Sequence, residues 1–407
     1  MELQPADPAV CPFDALPPAL LRAIVLRLPV DARARCAALS RAWRAFLADP
    51  TLWRVLDLSP AGGVPPLTRE RQRNLVRGAA HRTAGQLRVF NFYDEQEYDM
   101  IRLITEVVTA NGAALRELNT SQALCRSVEV RALLALAPQL QLFRANVYGT
   151  ADELIPMLRN APPFAALRVC GVHLLAEKLV GPTSEVAAAL SAHSSMDKLA
   201  VYGLQRPDPE ALNALLSAAL VRRITSLKLQ RSHVSVQNLP LLAQLMHCDS
   251  LTTLMLREVT WAAGEQAPFS TQLATILRQS VSLTNVTLSP AELWAPAIAV
   301  GRSDVLDAVM TLPALRSLNL SLSHFLGARR AIAGQAVGAL LAANLPSLQT
   351  LHVRGCNLDD GGLAPLLDGL AANTHLRELD CRYNDASPAL QQRMAATMTK
   401  EGRVLKY

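Results

Sequence analysis

The chain has 407 residues, of which 50% are hydrophobic, 4% aromatic and 18% charged. This hydrophobic content excludes a disordered protein, and the length suits two or three ordinary domains or one extended array of repeats. Lysine and arginine number 40 against 34 aspartates and glutamates, a net charge of +6. So small an excess, spread along the whole chain, does not indicate a nucleic-acid-binding protein.

The cysteines and the apolar stretches indicate the compartment. The 7 cysteines lie far apart and form no C-x-x-C pair, which favours reduced thiols over a disulfide framework. The amino terminus is acidic and contains Pro5, unlike a signal peptide. The longest uncharged stretch, residues 331–353, is interrupted by Gly, Pro and Asn and is a poor membrane span. The sequence therefore predicts an intracellular protein of the cytoplasm, the nucleus or both, with no membrane contact.

The first elements in chain order are a flexible leader at residues 1–12 and three short helices within residues 13–59. The first helix starts at Pro17 and Pro18, where a missing N–H costs nothing, and stops before Pro29. It carries an apolar stripe at helical spacing, made of Leu20, Leu21, Ile24 and Leu28. Fewer than about fifty residues hardly bury a core alone, so we expect this region either to seal the next domain or to dock on a partner.

Two tryptophans follow the stripe, Trp43 on the third helix and Trp53 after it. Together with the Leu-Pro pair that opens the region, their order and spacing resemble an F-box over residues 13–59. F-box proteins bind the Skp-type adaptor of cullin-based ubiquitin ligases, and the resemblance implies a matching surface here. The residues to which it assigns adaptor binding are Leu16, Pro17, Leu20, Leu21, Ile24, Leu28, Trp43 and Trp53.

Residues 60–86 link this region to the rest of the chain. They open with a Gly- and Pro-rich loop and continue as a helix that carries several arginines between Arg69 and Arg82. We interpret the helix as a solvated cap over the open edge of the following domain. The alternative is a nucleic-acid contact.

From residue 87 onward a pattern of apolar residues at positions 1, 4 and 6 recurs eleven times, with steps averaging about 29 residues, within the leucine-rich-repeat range. Its copies are Leu87/Phe90/Phe92, Leu115/Leu118/Thr120, Leu140/Phe143/Ala145, Phe164/Leu167/Val169, Met196/Leu199/Val201, Ile224/Leu227/Leu229, Leu251/Leu254/Leu256, Leu283/Val286/Leu288, Leu315/Leu318/Leu320, Leu348/Leu351/Val353 and Leu376/Leu379/Cys381. Such a stack buries its apolar faces continuously, although one unit alone cannot.

The second half of each unit has helical periodicity, for example at Leu363, Leu366 and Leu370. The unit that begins at Leu348 also has Asn357 just past its strand and resembles the ribonuclease-inhibitor type of leucine-rich repeat. The predicted fold is therefore an α/β leucine-rich-repeat solenoid over residues 87–407. This fold is a horseshoe of strand–helix units with a parallel sheet on its concave face, preceded by a small all-α F-box.

Strand alternation places repeat positions 3, 5 and 7 on the concave face, where two basic zones form. The first zone consists of Arg144, Arg168, Lys198, Lys228 and Arg257, with Tyr202 inside it. The second zone consists of His352, Arg354 and Arg382, tempered by Glu378 and Asp380. We expect the first zone to favour an acidic or phosphorylated target, because arginine and lysine pair with carboxylates and phosphates. The alternative is a generic polar surface.

No pattern indicates catalysis. None of the 8 histidines has metal-ligand spacing with a cysteine or a second histidine, and no phosphate-binding or nucleophile motif occurs. The sequence therefore predicts a non-enzyme with no cofactor and no metal.

The resulting functional prediction is a substrate-recognition subunit of a Skp–cullin–F-box ubiquitin ligase, acting in the ubiquitin conjugation pathway. The F-box would dock the Skp-type adaptor, and through it a cullin, while the repeats hold a target protein for ubiquitination. The first alternative is an interaction scaffold without a ligase. The second is a nucleic-acid-binding protein, which we do not favour.

Overall fold

The computed structural model describes residues 16–58, 69–92, 101–161, 164–176, 183–193, 196–204, 209–262, 264–289, 303–323, 325, 329–400 and 402–406. The predicted leader at 1–12 and most of the Gly- and Pro-rich loop after residue 59 lie outside the described residues. The chain divides into two compact units, Met1–Gly171 and Val172–Tyr407.

The first unit begins with short helices and continues with alternating strands and helices. Its helices are α1 Pro18–Arg27, α2 Val30–Cys36, α3 Arg41–Phe46, α4 Arg69–Arg82, α5 Ile101–Asn111, α6 Ser127–Leu136 and α7 Ala151–Leu158. Its strands are β1 Val55–Asp57, β2 Val89–Asn91, β3 Glu117–Arg126 and β4 Leu142–Gly149, while β5 Leu167–Leu175 crosses the boundary between the units. Two 3₁₀ turns, Pro50–Trp53 and Phe164–Ala166, precede β1 and β5.

The second unit repeats the strand–helix alternation throughout. Its helices are α8 Thr183–Ala192, α9 Pro209–Arg222, α10 Leu239–His247, α11 Gln266–Arg278, α12 Asp304–Val309, α13 Arg329–Ala342, α14 Asp360–Ala372 and α15 Pro388–Lys400. Its remaining strands are β6 Lys198–Tyr202, β7 Ser226–Gln230, β8 Thr253–Arg257, β9 Asn285–Leu288, β10 Ser317–Asn319, β11 Thr350–His352, β12 Glu378–Asp380 and β13 Val404–Lys406.

Neighbouring strands within each unit pair in parallel and in sequence order. Leu227 of β7 pairs with Leu254 of β8, which pairs with Val286 of β9, so equivalent repeat positions lie side by side. A parallel pair needs a crossover, and here a helix supplies most crossovers. The predicted fold class, a parallel-sheet α/β repeat after a short helical region, is confirmed.

The core follows the repeat pattern residue by residue. All eleven predicted copies place their residues at positions 1, 4 and 6 in the interior. Thr120, the one polar member, is also fully buried, and its hydroxyl donates to the backbone oxygen of Arg144 at 3.2 Å. Because the core is one strand and one helix thick, leucine and alanine fill it with few aromatic rings.

The sheet extends by one strand beyond the predicted array at each end. At the start, Leu56 of β1 pairs with Phe90, which makes Trp53, Leu56 and Leu58 a further copy of the 1-4-6 pattern. At the end, Leu405 of β13 pairs with Leu379, but Gly402 stands at position 1. The first strand was missed because residues 13–59 were assigned to the F-box, and the last was missed because a glycine replaces the first leucine.

Helix α4 connects parallel strands β1 and β2, so it occupies the place of a repeat helix and not of a separate cap. Val76 and Ala79 on its inner face are fully buried. On the outer face, Arg77 Nε lies 3.2 Å from Glu106 Oε2 of α5. The expectation of a solvated helix that only covers an open edge is revised accordingly. Among the described residues, no helix is long and apolar enough to cross a membrane.

Helices α13 and α14 touch through their backbones. A Cβ on Gly334 of α13 would collide with the backbone oxygen of Gly362 on α14, and one on Gly369 of α14 would collide with that of Gly338. Glycine at these positions therefore sets the distance between the two helices.

Candidate functional site

The sequence points to two surfaces, the helices before β1 and the open face of the sheet. At the first, α1 begins as its prolines predict. Pro17 is the N-cap, Pro18 is the first helical residue, and the backbone N–H groups of Leu20 and Leu21 donate to the Pro17 oxygen at 2.9 and 3.1 Å. The helix ends at Arg27 because Leu28 is extended.

The apolar side chains of α1 are only partly covered. Val25 is fully buried, whereas Leu20 is 48% exposed and Leu26 is 46% exposed. Leu21 and Ile24 have intermediate exposure, as do Leu16 and Leu28, and Pro17 is exposed. A further leucine between α2 and α3, Leu39, is 61% exposed. Leucines this exposed within one short helical region are of the kind that partners cover.

The region is held together by a buried arginine that the sequence reasoning missed. Arg33 of α2 is 7% exposed and donates to the backbone oxygens of Leu28 at 2.8 Å, Leu52 at 3.0 Å and Leu26 at 3.0 Å. Burial lowers the pKa of its guanidinium from the usual range. The three hydrogen bonds tie α2 to the end of α1 and to the turn Pro50–Trp53, because carbonyls satisfy a buried cation.

Both tryptophans lie inside the module. Trp43 is 5% exposed and Trp53 is 1% exposed. Trp53 donates its indole N–H to the Leu47 oxygen at 2.8 Å, and the Arg82 guanidinium of α4 lies 5.0 Å from its ring centroid. The prediction that both rings face a partner is revised, because neither offers surface. They position the exposed leucines by filling the core beneath them.

An ion pair and a hydrogen bond from Arg22 join α1 to the turn before β1. Arg22 Nη1 lies 3.0 Å from Asp49 Oδ2, and its Nη2 donates to Thr51 Oγ1 at 2.8 Å. Hydrogen bonds from Thr51, followed by the charge of Arg22, lower the pKa of the Asp49 carboxyl. Because the Arg22–Asp49 ion pair is solvent-accessible, it contributes little to the free energy of folding, and its main role is to orient α1.

On the sheet, the structure separates the first predicted basic zone between the two units. Arg144 of β4 and Arg168 of β5 are exposed in the first unit. Lys198, Tyr202, Lys228 and Arg257 are half-buried in the second.

In the second unit the strand register places the predicted face residues in rows. Position 3 runs through Lys198, Ser226, Thr253, Asn285, Ser317, Thr350 and Glu378. Position 5 runs through Ala200, Lys228, Met255, Thr287, Asn319, His352 and Asp380.

The members of the second predicted zone, together with Arg257 of the first, line one groove of about 390 Å³ on this face. Its lining residues are Met255, Arg257, Thr287, Asn319, Ser321, Leu322, His352, Arg354, Asp380 and Arg382. The sequence thus identified the charged residues of the groove, although it assigned Arg257 to the other zone.

Asp380 organises one end of the groove. Arg382 donates to it twice, from Nε to Oδ1 at 2.9 Å and from Nη2 to Oδ2 at 2.6 Å, and His352 Nδ1 lies 3.7 Å from Oδ2. Burial opposes ionisation of Asp380, but the hydrogen bonds and charge of Arg382 outweigh it and lower the pKa of the carboxyl. At this end the positive charge is therefore already matched.

Arg354 is placed differently from Arg382. Its guanidinium lies 4.4 Å from the ring centroid of Tyr383, which is 70% exposed. The ring holds the guanidinium by a cation–π contact and leaves its N–H groups directed to solvent or to a ligand.

A buried histidine, His173 of β5, lies beside β6 and was not singled out by its sequence context. His173 is 4% exposed, stacks on Tyr202 with ring centroids 5.7 Å apart, and its Nδ1 lies 3.1 Å from the Tyr202 hydroxyl. Burial, followed by the charges of Lys228 and Lys198, lowers the pKa of His173 to about 3. The imidazole is therefore neutral at physiological pH, chiefly because it is buried.

Three of the thiols are unreactive by their surroundings. Burial raises the pKa of Cys125, Cys356 and Cys381 to about 12. At neutral pH these thiols carry no thiolate character that would support nucleophilic chemistry.

The comparisons with known proteins agree with the first of the two surfaces. The F-box-like family matches residues 13–59. No curated protein matches the chain.

Three solved structures are similar to parts of the fold. The Rad7 and Elc1 complex of yeast has 13% identity, a TM-score of 0.37 and coverage of 81% of this chain and 75% of that one. A Bacteroides fragilis protein has 14% identity, a TM-score of 0.32 and coverage of 66% and 68%. The tropomodulin C-terminal domain of Caenorhabditis elegans has 11% identity, a TM-score of 0.24 and coverage of 54% and 93%.

At these TM-scores the fold rests on the strand order and register of the chain itself. The protein thus carries an F-box-like region at residues 13–59, followed by a parallel-sheet α/β repeat.

Proposed function

We propose that the protein is a substrate receptor of a Skp–cullin–F-box ubiquitin ligase. The F-box-like region would dock the Skp-type adaptor, and the repeat would hold a target protein close to the ubiquitin-charged enzyme. The chain would make and break no bonds itself. Its contribution would be a raised effective concentration of the target's lysines.

The observation that carries this proposal is the uncovered apolar surface of α1 within the matched residues. Leu20 and Leu26 are about half exposed, while Val25 between them is buried. We define the adaptor surface as Pro17, Leu20, Leu21 and Ile24. Its leucines stand on a helix held rigidly by Arg33 and the buried tryptophans, as a preformed docking surface requires.

The test is co-purification of the tagged full chain with adaptor and cullin from cells. Leu20→Asp places a charge in the adaptor surface and is expected to remove both partners, because a buried unpaired carboxylate opposes the contact. Val221→Asp is the matched control, since Val221 lies on α9 and is 65% exposed.

Equal recovery of the adaptor with both variants would refute the docking surface. Recovery of the adaptor without a cullin would instead favour a non-ligase scaffold that uses the same surface. Far-UV circular dichroism of the variants checks that they remain folded.

A further inference from the structure

The open face of the second unit carries an unusual distribution of charge. We define the sheet face as repeat positions 3, 5 and 7 of strands β6 to β11, which are eighteen described residues. None of these eighteen is acidic, and four are cations, namely Lys198, Lys228, Arg257 and Arg354.

This charge is segregated and does not follow the composition. Residues 172–407 contain 20 lysines and arginines against 18 aspartates and glutamates, so the second unit is close to neutral. Carboxylates at positions 3 and 5 begin only on β12, with Glu378 and Asp380, and each already has a cationic partner: Lys406 at 2.6 Å and Arg382 at 2.6 Å.

Carboxylates beside the sheet face neutralise it only in part. Glu258 is shared by Arg257, 3.3 Å away, and Arg231, 2.7 Å away, so one negative charge meets two positive ones. Asp197 precedes Lys198, and burial raises the pKa of its carboxyl.

Lys228 and Arg354 have no carboxylate within ion-pair distance among the described residues. The low pKa of His173, to which Lys228 and Lys198 contribute, supports a positive potential at this end of the face. Uncompensated cations gathered on one face raise the local concentration of anionic ligands there.

From these observations we infer that the sheet face of β6 to β11 docks an extended, acidic, aspartate- and glutamate-rich segment of a target protein. The inference extends the proposed function and rests on it, because the acidic segment belongs to a target protein only if this chain is a substrate receptor. From β6 to β11 there are five strand steps, or roughly 24 Å. An extended chain of about seven or eight residues covers this distance, with Lys198 and Lys228 at one end and Arg354 at the other.

The chemistry favours a peptide over a nucleic acid. Apart from its cations the face offers mainly hydroxyls and amides, such as Thr253, Thr287 and Asn319, which suit a peptide backbone. Among the described face residues Tyr202 is the one aromatic ring, and it already stacks on His173. Single-stranded nucleic acid needs several stacking rings and a continuous line of phosphate contacts, which four spaced cations do not supply.

The test is fluorescence polarisation with the full chain and a labelled ten-residue peptide of alternating Glu and Ser. We expect saturable binding that weakens as NaCl is raised from about 50 to 300 mM, and no binding of the Gln/Ser peptide of equal length. Lys228→Glu combined with Arg354→Glu should weaken binding roughly tenfold, since each reversal replaces an attraction by a repulsion. Arg393→Glu, an exposed reversal on α15, should change it less than about twofold.

Several results would overturn the inference: equal binding of the Gln/Ser peptide, no loss in the double variant, or tighter binding of a single-stranded RNA 10-mer. The milder Lys228→Gln/Arg354→Gln pair guards against misfolding and should lose affinity in the same direction. Leu20→Asp should bind the peptide normally, and the double reversal should bind the adaptor normally. Failure of the sheet face and failure of the proposed docking are therefore separate outcomes.

Discussion

Helices α1 and α14 show the same apolar periodicity in opposite environments. In α14, six of 13 residues are buried, among them Leu363, Leu366 and Leu370. Helix α1 has 10 residues, and its apolar side chains differ: Val25 is buried, whereas Leu20 is 48% exposed. The spacing of apolar residues thus identifies the apolar face of a helix. Whether that face is buried within the protein or stays exposed depends on the neighbouring elements.

The largest expected effect concerns α14, whose apolar face is buried, and its contact with α13. Gly334→Ala should lower the free energy of unfolding by about 3 kcal/mol, because its methyl group collides with the backbone oxygen of Gly362 and cannot be accommodated by a rotamer change. Urea unfolding followed by circular dichroism measures the loss. Gly361→Ala, which meets only Asp359 Oδ1 at 3.4 Å, should be neutral or slightly stabilising. Equal losses would contradict backbone contact between α13 and α14.

The second prediction concerns Arg33, which holds α1 and α2 together. Arg33→Met should destabilise the F-box-like region by about 2 kcal/mol, because three backbone carbonyls lose their donor in a buried place. Arg35→Met on the same helix removes only an exposed ion pair with Asp31 at 2.9 Å and should cost less than about 0.5 kcal/mol. Hydrogen exchange at α1 and α2 resolves the two variants, and similar exchange in both would argue against the role of Arg33.

The third prediction tests the polar interior of the repeat by pH. The unfolded chain protonates His173 near its usual pKa of about 6.5, whereas the folded chain does so only at about 3. Between these values the unfolded state binds the extra proton, so stability falls as the pH falls. Lowering the pH from 7 to 5 should remove about 2 kcal/mol through this residue.

His173→Gln should flatten that part of the stability profile, measured by urea unfolding at each pH. His247→Gln, the same exchange at an exposed histidine on α10, is the matched control for the substitution itself. An unaltered pH dependence in His173→Gln would mean that the buried imidazole is not the group responsible.

The fourth prediction compares a buried and a half-exposed residue of α1, and includes the smallest expected effect. Val25→Ala removes two methyl groups from a fully buried site and should cost about 2 kcal/mol, whereas Leu20→Ala removes more carbon from a half-exposed site and should cost less than about 0.5 kcal/mol. Thermal unfolding of the two variants checks the order. A reversed order would mean that Leu20 is part of the core.

The repeat was predictable because its information is local and redundant. A slip of one residue would expose every leucine in a strand, so the 1-4-6 pattern fixed the register as well as the strands. For the same reason Lys228, Asn319 and His352 were correctly aligned on one face. The first strand escaped because Trp53 lay within residues 13–59, which were assigned to the F-box, and the last strand escaped because Gly402 stands at position 1.

The site was less predictable because partner-facing and core residues share the same chemistry. The resemblance to an F-box grouped Trp53 with Leu20, yet Trp53 is buried at the end of the 3₁₀ turn that precedes the first strand of the sheet, whereas Leu20 is half exposed. Arg33 carried no signal at all, since a buried arginine is recognised only from the carbonyls that surround it in space. His173 was likewise invisible until Tyr202 and the lysines of β6 and β7 were placed beside it.

The most direct test of the adaptor surface is calorimetry of the purified full chain with a purified Skp-type adaptor. We expect tight binding with a negative heat-capacity change, as the half-exposed leucines of α1 become buried. We also expect Leu20→Asp to abolish the heat of binding and Val221→Asp to leave it unchanged. Binding that survives Leu20→Asp, or no binding by the unmodified chain, would contradict the claim that α1 is an adaptor surface.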